Sequence, residues 1–245
     1  MDERIASHYE LGVELDRLAG PTSRIEFAST QELLERFLPP PTAAVLDVGG
    51  GPGAYAAWLA ERGYDVHLVD PVELHVEQAR ARGGFTAELG DARRLANEDA
   101  SVDVVLLLGP LYHLTERDDR LLALAEARRV VRPGGLVAVA AISRFASLLD
   151  GLLSGHLGDA AFRAVVERDL GDGQHRNPDG RVEWFTTAFF HHPDELRAEL
   201  VEARLALEGL FGVEGPGWLL AHLWDDPARR DDVLFAARAV ETEPS

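Results

Sequence analysis

The chain has 245 residues, 46% of them hydrophobic, which is enough to bury one sizeable core without requiring a second domain. No stretch approaches the roughly eighteen uninterrupted apolar residues of a membrane span, the start Met1-Asp2-Glu3-Arg4 is no signal peptide, and a cysteine-free chain has neither a disulfide framework nor a thiolate metal site. A formal net charge of −18 argues against nucleic acid, whose affinity comes largely from phosphate neutralisation, and leaves a cytoplasmic enzyme as the expectation.

Taken in order, residues 3–19 carry Ile5, Tyr9, Val13, Leu15 and Leu18 at helical spacing and stop at Gly20-Pro21. A second helix runs from about Phe27 to Phe37. Pro39-Pro40-Pro41 then delivers the chain stiffly into a short apolar run, Ala43-Ala44-Val45-Leu46-Asp47-Val48. That run breaks into Gly49-Gly50-Gly51-Pro52-Gly53 and becomes alanine-rich, which predicts a buried strand, a tight turn and a helix start. Glycines there let backbone approach a ligand where any Cβ would collide, and the helix start aims free N–H groups and a positive dipole end at the same spot. Asp47, just before the glycines, is a fixed acceptor that orients the loop or receives a cationic group.

The same alternation continues: helix 53–62, strand 65–70, helix 73–82, strand 84–89, a short loop and helix, strand 102–108, helix 116–131 and strand 135–142. Continuous apolar strands alternating with helices predict a doubly wound, mostly parallel sheet covered on both faces. Right-handed crossovers then place Asp47, Asp70, Asp91 and Leu108 on one edge, where ligands bind near the switch in strand order. Asp70 ends the second strand about twenty residues past the first glycine, where an acid takes both hydroxyls of a ribose. Gly49, Gly51 and Ala54 also satisfy the dinucleotide fingerprint, so the loop by itself leaves the ligand open.

Residues 143–192 form an insertion too long for a simple connection. Leu148, Leu149, Leu152, Leu153, Leu157, Phe162, Val165 and Val166 recur at roughly helical spacing, a polar turn follows over 171–180, and Val182 to Phe190 is aromatic and β-prone. A helical lid over the substrate is the expectation. Pro193-Asp194-Glu195-Leu196 starts a helix to Ala203, and Leu205 to Gly212 reads as a sixth strand. Trp218–Trp224 and Pro227–Val240 read better as helices than as strands.

The loop Asp-x-Gly-x-Gly-x-Gly, the acid Asp70, the corner Gly90-Asp91-Ala92 and the turn Arg132-Pro133-Gly134-Gly135 stand in one order and spacing over residues 43–142. In this the chain resembles the class I S-adenosylmethionine-dependent methyltransferases, and Gly109-Pro110-Leu111-Tyr112-His113-Leu114 resembles the bacterial small-molecule type. The resemblance implies one Rossmann-like domain over 1–245, with an N-terminal helical cap (1–41), a cofactor-binding core (42–142), the lid (143–192) and a C-terminal part of the core (193–245). It implies S-adenosyl-L-methionine, with product S-adenosyl-L-homocysteine, held by Asp47, Gly49, Gly51, Gly53, Asp70, Pro71, Asp91, Ala92 and Leu108. It also implies a final antiparallel strand pair, for which either Leu234–Val240 is the missing strand or the sequence ends before it, the second being preferred.

A sulfonium methyl needs alignment with its acceptor, and a base only if the acceptor must lose a proton. His113, following the fourth strand, is the first candidate base and His191 of the His191-His192 pair the second; no metal is expected, since that pair lacks a carboxylate at helical spacing. His75 reads as packing or surface. The family's N-terminal helices close over cofactor and substrate, which makes Tyr9, Arg17 and Arg24 contact candidates. Tyr112 is a pocket wall, and Phe145, Phe162, Trp184 and Phe185 are aromatics for an apolar acceptor pocket. The expected acceptor is a small molecule, a natural product or secondary metabolite methylated on O, N or C. Neither nucleic acid nor membrane is an expected partner, and the expected state is a monomer or homodimer. Two alternatives stand: a protein that binds the cofactor without transfer, as sensor or partner subunit, and an NAD(P)-dependent dehydrogenase. The second is disfavoured by the Gly49–Gly53 spacing and by a sequence without lysine.

Overall fold

A computed structural model describes residue 9 and residues 14–15, 17–20, 23–178, 180–181 and 184–243. Five parallel strands form the central sheet: β1 (Ala44–Val48), β2 (Asp65–Asp70), β3 (Thr86–Leu89), β4 (Val102–Leu107) and β5 (Val131–Val139). Their order is β3-β2-β1-β4-β5, so the chain reverses direction across the sheet between β1 and β4. Strand periodicity sorts the apolar residues to the two faces. Leu46, Val48, Val69, Val105 and Leu107 join one buried cluster, and Val45, Val66, Leu68, Val104 and Leu106 join the other.

Helices cover both faces. The first cluster takes Ala123, Leu124, Ala127 and Val130 of α5 (Arg117–Val130) and Leu196 and Leu200 of α8 (Pro193–Glu202). The second takes Leu34 of α1 (Arg24–Phe37), Tyr55, Ala56, Trp58 and Leu59 of α2 (Ala54–Ala60) and Ala79 of α3 (Glu73–Arg82). The short helix α4 (Pro110–His113) follows β4. A third cluster joins Ile25 of α1 to Ala221 and Trp224 and to Val233 and Ala237 of α9 (Pro227–Ala239).

The insertion is less purely helical than its apolar spacing predicts. It holds α6 (Ala146–Leu153) and α7 (Ala160–Asp172), together with a small sheet of β6 (Ile142–Ser143), β7 (Gln174–His175) and β8 (Ala188–His191) in the order β6-β8-β7. Phe162, Val165, Val166 and Trp184 make its own buried cluster.

Several expected elements differ. The helix over 3–19 falls largely outside the described residues, and Arg17–Ala19 is a short 3₁₀ turn. Leu205–Gly212 is not a strand: Leu205 and Leu210 anchor on the core, but a strand exists only by pairing, and these residues pair with none among those described. Leu234–Val240 is not a strand either, since α9 runs through Ala239. β5 starts four residues early because the Arg-Pro-Gly-Gly turn lies within it as a register shift against β4, with Gly134 at φ +81°.

The insertion docks on a buried ion pair of the core. Arg120 of α5 donates from Nη2 and Nε to the Glu199 carboxylate at 2.7–3.1 Å, and both side chains are 3% exposed. The guanidinium lies 3.7 Å over the Phe189 ring, and its Nη1 donates to the carbonyls of Leu114 and Thr115. His191 of β8 completes the set through Nε2, 3.2 Å from Glu199 Oε2. Burial pushes the Glu199 carboxyl up, but the hydrogen bonds from His191 and Arg120 outweigh it and hold the group below its usual 4.5. Because the folded value is the lower one, this stabilisation is present above pH 4.5 and is lost as pH falls through the depressed value.

Arg120→Ala should therefore lower the unfolding free energy by about 3–5 kcal/mol, while the paired change Arg120→Leu with Glu199→Leu should cost clearly less, because no charge is left buried alone. Urea titrations at pH 7 and across the acid limb check both, and the single variant should lose less stability on acidification than the wild type.

Candidate active site

The site lies at the C-terminal edge of the sheet, where the strand order reverses. Residues from five segments meet in one cleft: Gly49 and Gly51 after β1, Asp70 and Pro71 after β2, Asp91 and Ala92 after β3, Tyr112 and His113 after β4, and Tyr9 from the N-terminal region. Gly51 needs its glycine. Its φ is +56°, and a Cβ there would point into open space with only Glu14 Cγ at 3.8 Å, so the backbone forms a cradle facing the cleft.

Asp70 organises this edge. Its Oδ2 accepts from Gly51 N–H at 2.9 Å, and its Oδ1 accepts from Val72 N–H at 2.9 Å and from His75 Nδ1 at 3.1 Å. Asp47, on β1, is buried beside the glycine loop, with Oδ2 unpartnered among the described residues. Burial first and the Asp70 charge second push the Asp47 carboxyl up to about 7, against a lowering by the Ala56 backbone N–H.

At the end of β3, Asp91 is gripped by Arg93, whose Nε and Nη2 donate at 2.9 and 2.6 Å, and these bonds hold the Asp91 carboxyl below its usual range. Arg93 also pairs with Asp119 at 2.8 Å. On the other side, Tyr9 stands edge-on between two imidazoles, 5.0 Å from His75 and 5.3 Å from His113. Burial pushes the Tyr9 phenol well above 10, so its hydroxyl keeps its proton and shares a 2.5 Å hydrogen bond with His113 Nε2. Burial raises the Tyr112 phenol as well, which leaves it a wall with a neutral hydroxyl.

Other candidates stand elsewhere. Gly53 serves packing: its φ is +82°, and a Cβ would come within 2.5 Å of the Phe85 ring. Leu108 packs on the core beneath the cleft, where Gly109 lines the surface instead. His191 lies in the Arg120–Glu199 cluster, and Trp184 and Phe162 lie in the insertion's own core. Phe145 packs against the His192 ring at 5.6 Å. Arg17 pairs with Glu14 and Glu26, and Arg24 with Asp225. Phe185 is different: it is 37% exposed, stacked at 5.9 Å on His113 and 6.4 Å from Tyr112. Motif reading passed over His75, Glu14 and Arg93, all of which line the cleft. A signal existed for two of them, since residues within a turn of a strand's C-terminal end fold back over the same edge.

Residues 45–135 match the methyltransferase domain family. An uncharacterised methyltransferase of Mycobacterium tuberculosis is 34% identical over 130 residues, 53% of this chain and 52% of that protein. A methyltransferase of Streptomyces halstedii is 34% identical over 146 residues, 56% of this chain and 48% of that one. The chain thus spans about half the length of the curated relatives it matches. Among solved structures, an S-adenosylmethionine-dependent methyltransferase from Mesorhizobium loti superposes with a TM-score of 0.57 at 18% identity, covering 85% of this chain and 94% of that one, a likeness of fold. The matched segment is the one that builds the glycine cradle, Asp70 and the His113 corner; over it the chain is similar to methyltransferases, and its fold is that of the S-adenosylmethionine-dependent ones.

Proposed function

We propose that this protein binds S-adenosylmethionine at the sheet edge and transfers its methyl group to an oxygen, nitrogen or carbon atom of a small molecule, a natural product or secondary metabolite. The observation that supports this most is the meeting, in one cleft, of the glycine cradle, Asp70 and the Tyr9–His113 pair. The bound cofactor supplies an already electrophilic methyl group. What the chain supplies is alignment and exclusion of water, and fixing two reactants in near-attack geometry is worth about 7–11 kcal/mol.

Gly49, Gly51, Asp70, Pro71, Asp91 and Ala92 hold the cofactor in this reading, with Gly51 giving close backbone approach and Asp70 a ribose acceptor. His113 Nε2 receives the acceptor's proton when the acceptor has one to lose, after displacing the Tyr9 hydroxyl or through it. The insertion closes the acceptor side, where Phe185 presents a partly exposed ring beside His113. The acidic surface and the absence of any long apolar helix among the described residues fit a small-molecule acceptor.

Asp70→Ala should weaken S-adenosylhomocysteine binding by about 2 kcal/mol or more, the scale for losing a charged hydrogen-bond partner. Calorimetry checks it, and unchanged affinity removes Asp70 from the cofactor shell. His113→Ala should lower turnover of a hydroxyl acceptor by about 10²–10⁴-fold with cofactor affinity nearly intact. Loss of cofactor binding in that variant would place His113 in the cofactor shell instead. Turnover by the wild type also distinguishes an enzyme from a protein that only binds the cofactor. Phe185→Ala should raise the KM for acceptor and leave S-adenosylhomocysteine affinity alone, which steady-state kinetics and calorimetry read separately.

A further inference from the structure

His75 stands outside every role assigned so far. It sits on the first turn of α3, is 3% exposed, and lines the cleft beside Asp70. Its Nδ1 is held by Asp70 Oδ1 at 3.1 Å, while its buried Nε2 has no partner among the described residues. A buried polar atom without a partner is costly, so one kept on a residue that lines a ligand cleft calls for an explanation.

The lone pairs of Asp70 supply it. A carboxylate has about four acceptor positions, two on each oxygen. Oδ1 already accepts from Val72 N–H and His75 Nδ1–H, and Oδ2 from Gly51 N–H, which leaves one position on Oδ2. A ribose diol brings two hydroxyl donors. Asp70 in this arrangement satisfies one of them, not the two expected of a strand-end acid. The other cleft carboxylates are engaged by arginines, Glu14 by Arg17 and Asp91 by Arg93. With Asp70 accepting from Nδ1–H, an imidazole that carries only that proton keeps its free lone pair on Nε2.

We propose that His75 is a cofactor-binding residue, whose Nε2, aimed by the Asp70–Nδ1 hydrogen bond, accepts one ribose hydroxyl of S-adenosylmethionine while Asp70 Oδ2 accepts the other. This rests on the cofactor assignment above. The same ring touches Tyr9, which caps His113, so ribose recognition and the candidate base share one packed row.

The test compares binding of S-adenosylhomocysteine and its 2′-deoxy and 3′-deoxy analogues by calorimetry. In the wild type each deoxygenation should weaken binding about tenfold, the scale of one hydrogen bond. His75→Phe keeps a ring against Tyr9 but no acceptor. It should bind S-adenosylhomocysteine about tenfold more weakly and should lose its sensitivity to one analogue only. His75→Gln, which restores an acceptor oxygen, should recover part of that loss. In the wild type itself, the ¹⁵N resonance of His75 Nε2 should move upfield on adding S-adenosylhomocysteine and stay in place with one of the analogues. An unmoved Nε2 resonance at saturation, or full sensitivity of His75→Phe to both analogues, overturns the assignment. A wild type that binds no S-adenosylhomocysteine overturns the cofactor reading with it, an outcome separate from failure at His75 alone.

Discussion

The carboxylate of Asp70 joins three parts of the cleft that come from different stretches of chain. It holds the glycine loop through Gly51, the start of the following helix through Val72, and the His75 ring. Each of these bonds ties a backbone or ring donor to a charge, the class of hydrogen bond worth most in a partly buried site. The same charge acts on Asp47 next door, which burial and Asp70 together bring to about 7. Two acids 23 residues apart in sequence are thereby coupled electrostatically across adjacent strands.

The segment that follows the candidate base is held by a second fixed charge, outside the cleft lining. Arg120 donates to the carbonyls of Leu114 and Thr115, the two residues directly after His113, and to Glu199. Gln174 of the insertion donates to the same Thr115 carbonyl at 3.0 Å. The loop carrying His113 is therefore held by the core and by the insertion together. A buried ion pair adds little net stability over an apolar pair, but its directional bonds specify where the loop lies. That geometric service, rather than stability, accounts for a buried arginine and glutamate at this position.

The acceptor side shows how one segment serves two purposes. Trp184 and Phe185 are neighbours, yet Trp184 is 4% exposed in the insertion's core and Phe185 turns a ring toward His113. Trp184 anchors the segment, and the anchor presents the next side chain. Substituting the anchor would shift the presented ring, so effects at Trp184 and Phe185 should not be read as independent.

Much of the architecture was legible in the sequence because it is local. Apolar runs with period two, a glycine break and an alanine-rich start specify strand, turn and helix within about fifteen residues. Five such strands joined by crossovers form a parallel sheet with its strand ends on one edge, which puts Asp70 and Asp91 there. What the sequence left open is contact between segments. Tyr9 and His113 lie 104 residues apart and meet only because the fold brings Tyr9 to the sheet edge. Leu205–Gly212 has strand-like apolar residues but pairs with no strand among the described residues, so it stays irregular. His75 looked like packing because helical spacing tells which face a residue shares, not what stands opposite. Sequence alone determined the order of elements and the chemistry at each strand end, since backbone preference and apolar periodicity act over a few residues. Tertiary structure alone decided which side chains face the cleft and which lone pairs of Asp70 remain free, since those follow from contacts that only the folded chain makes.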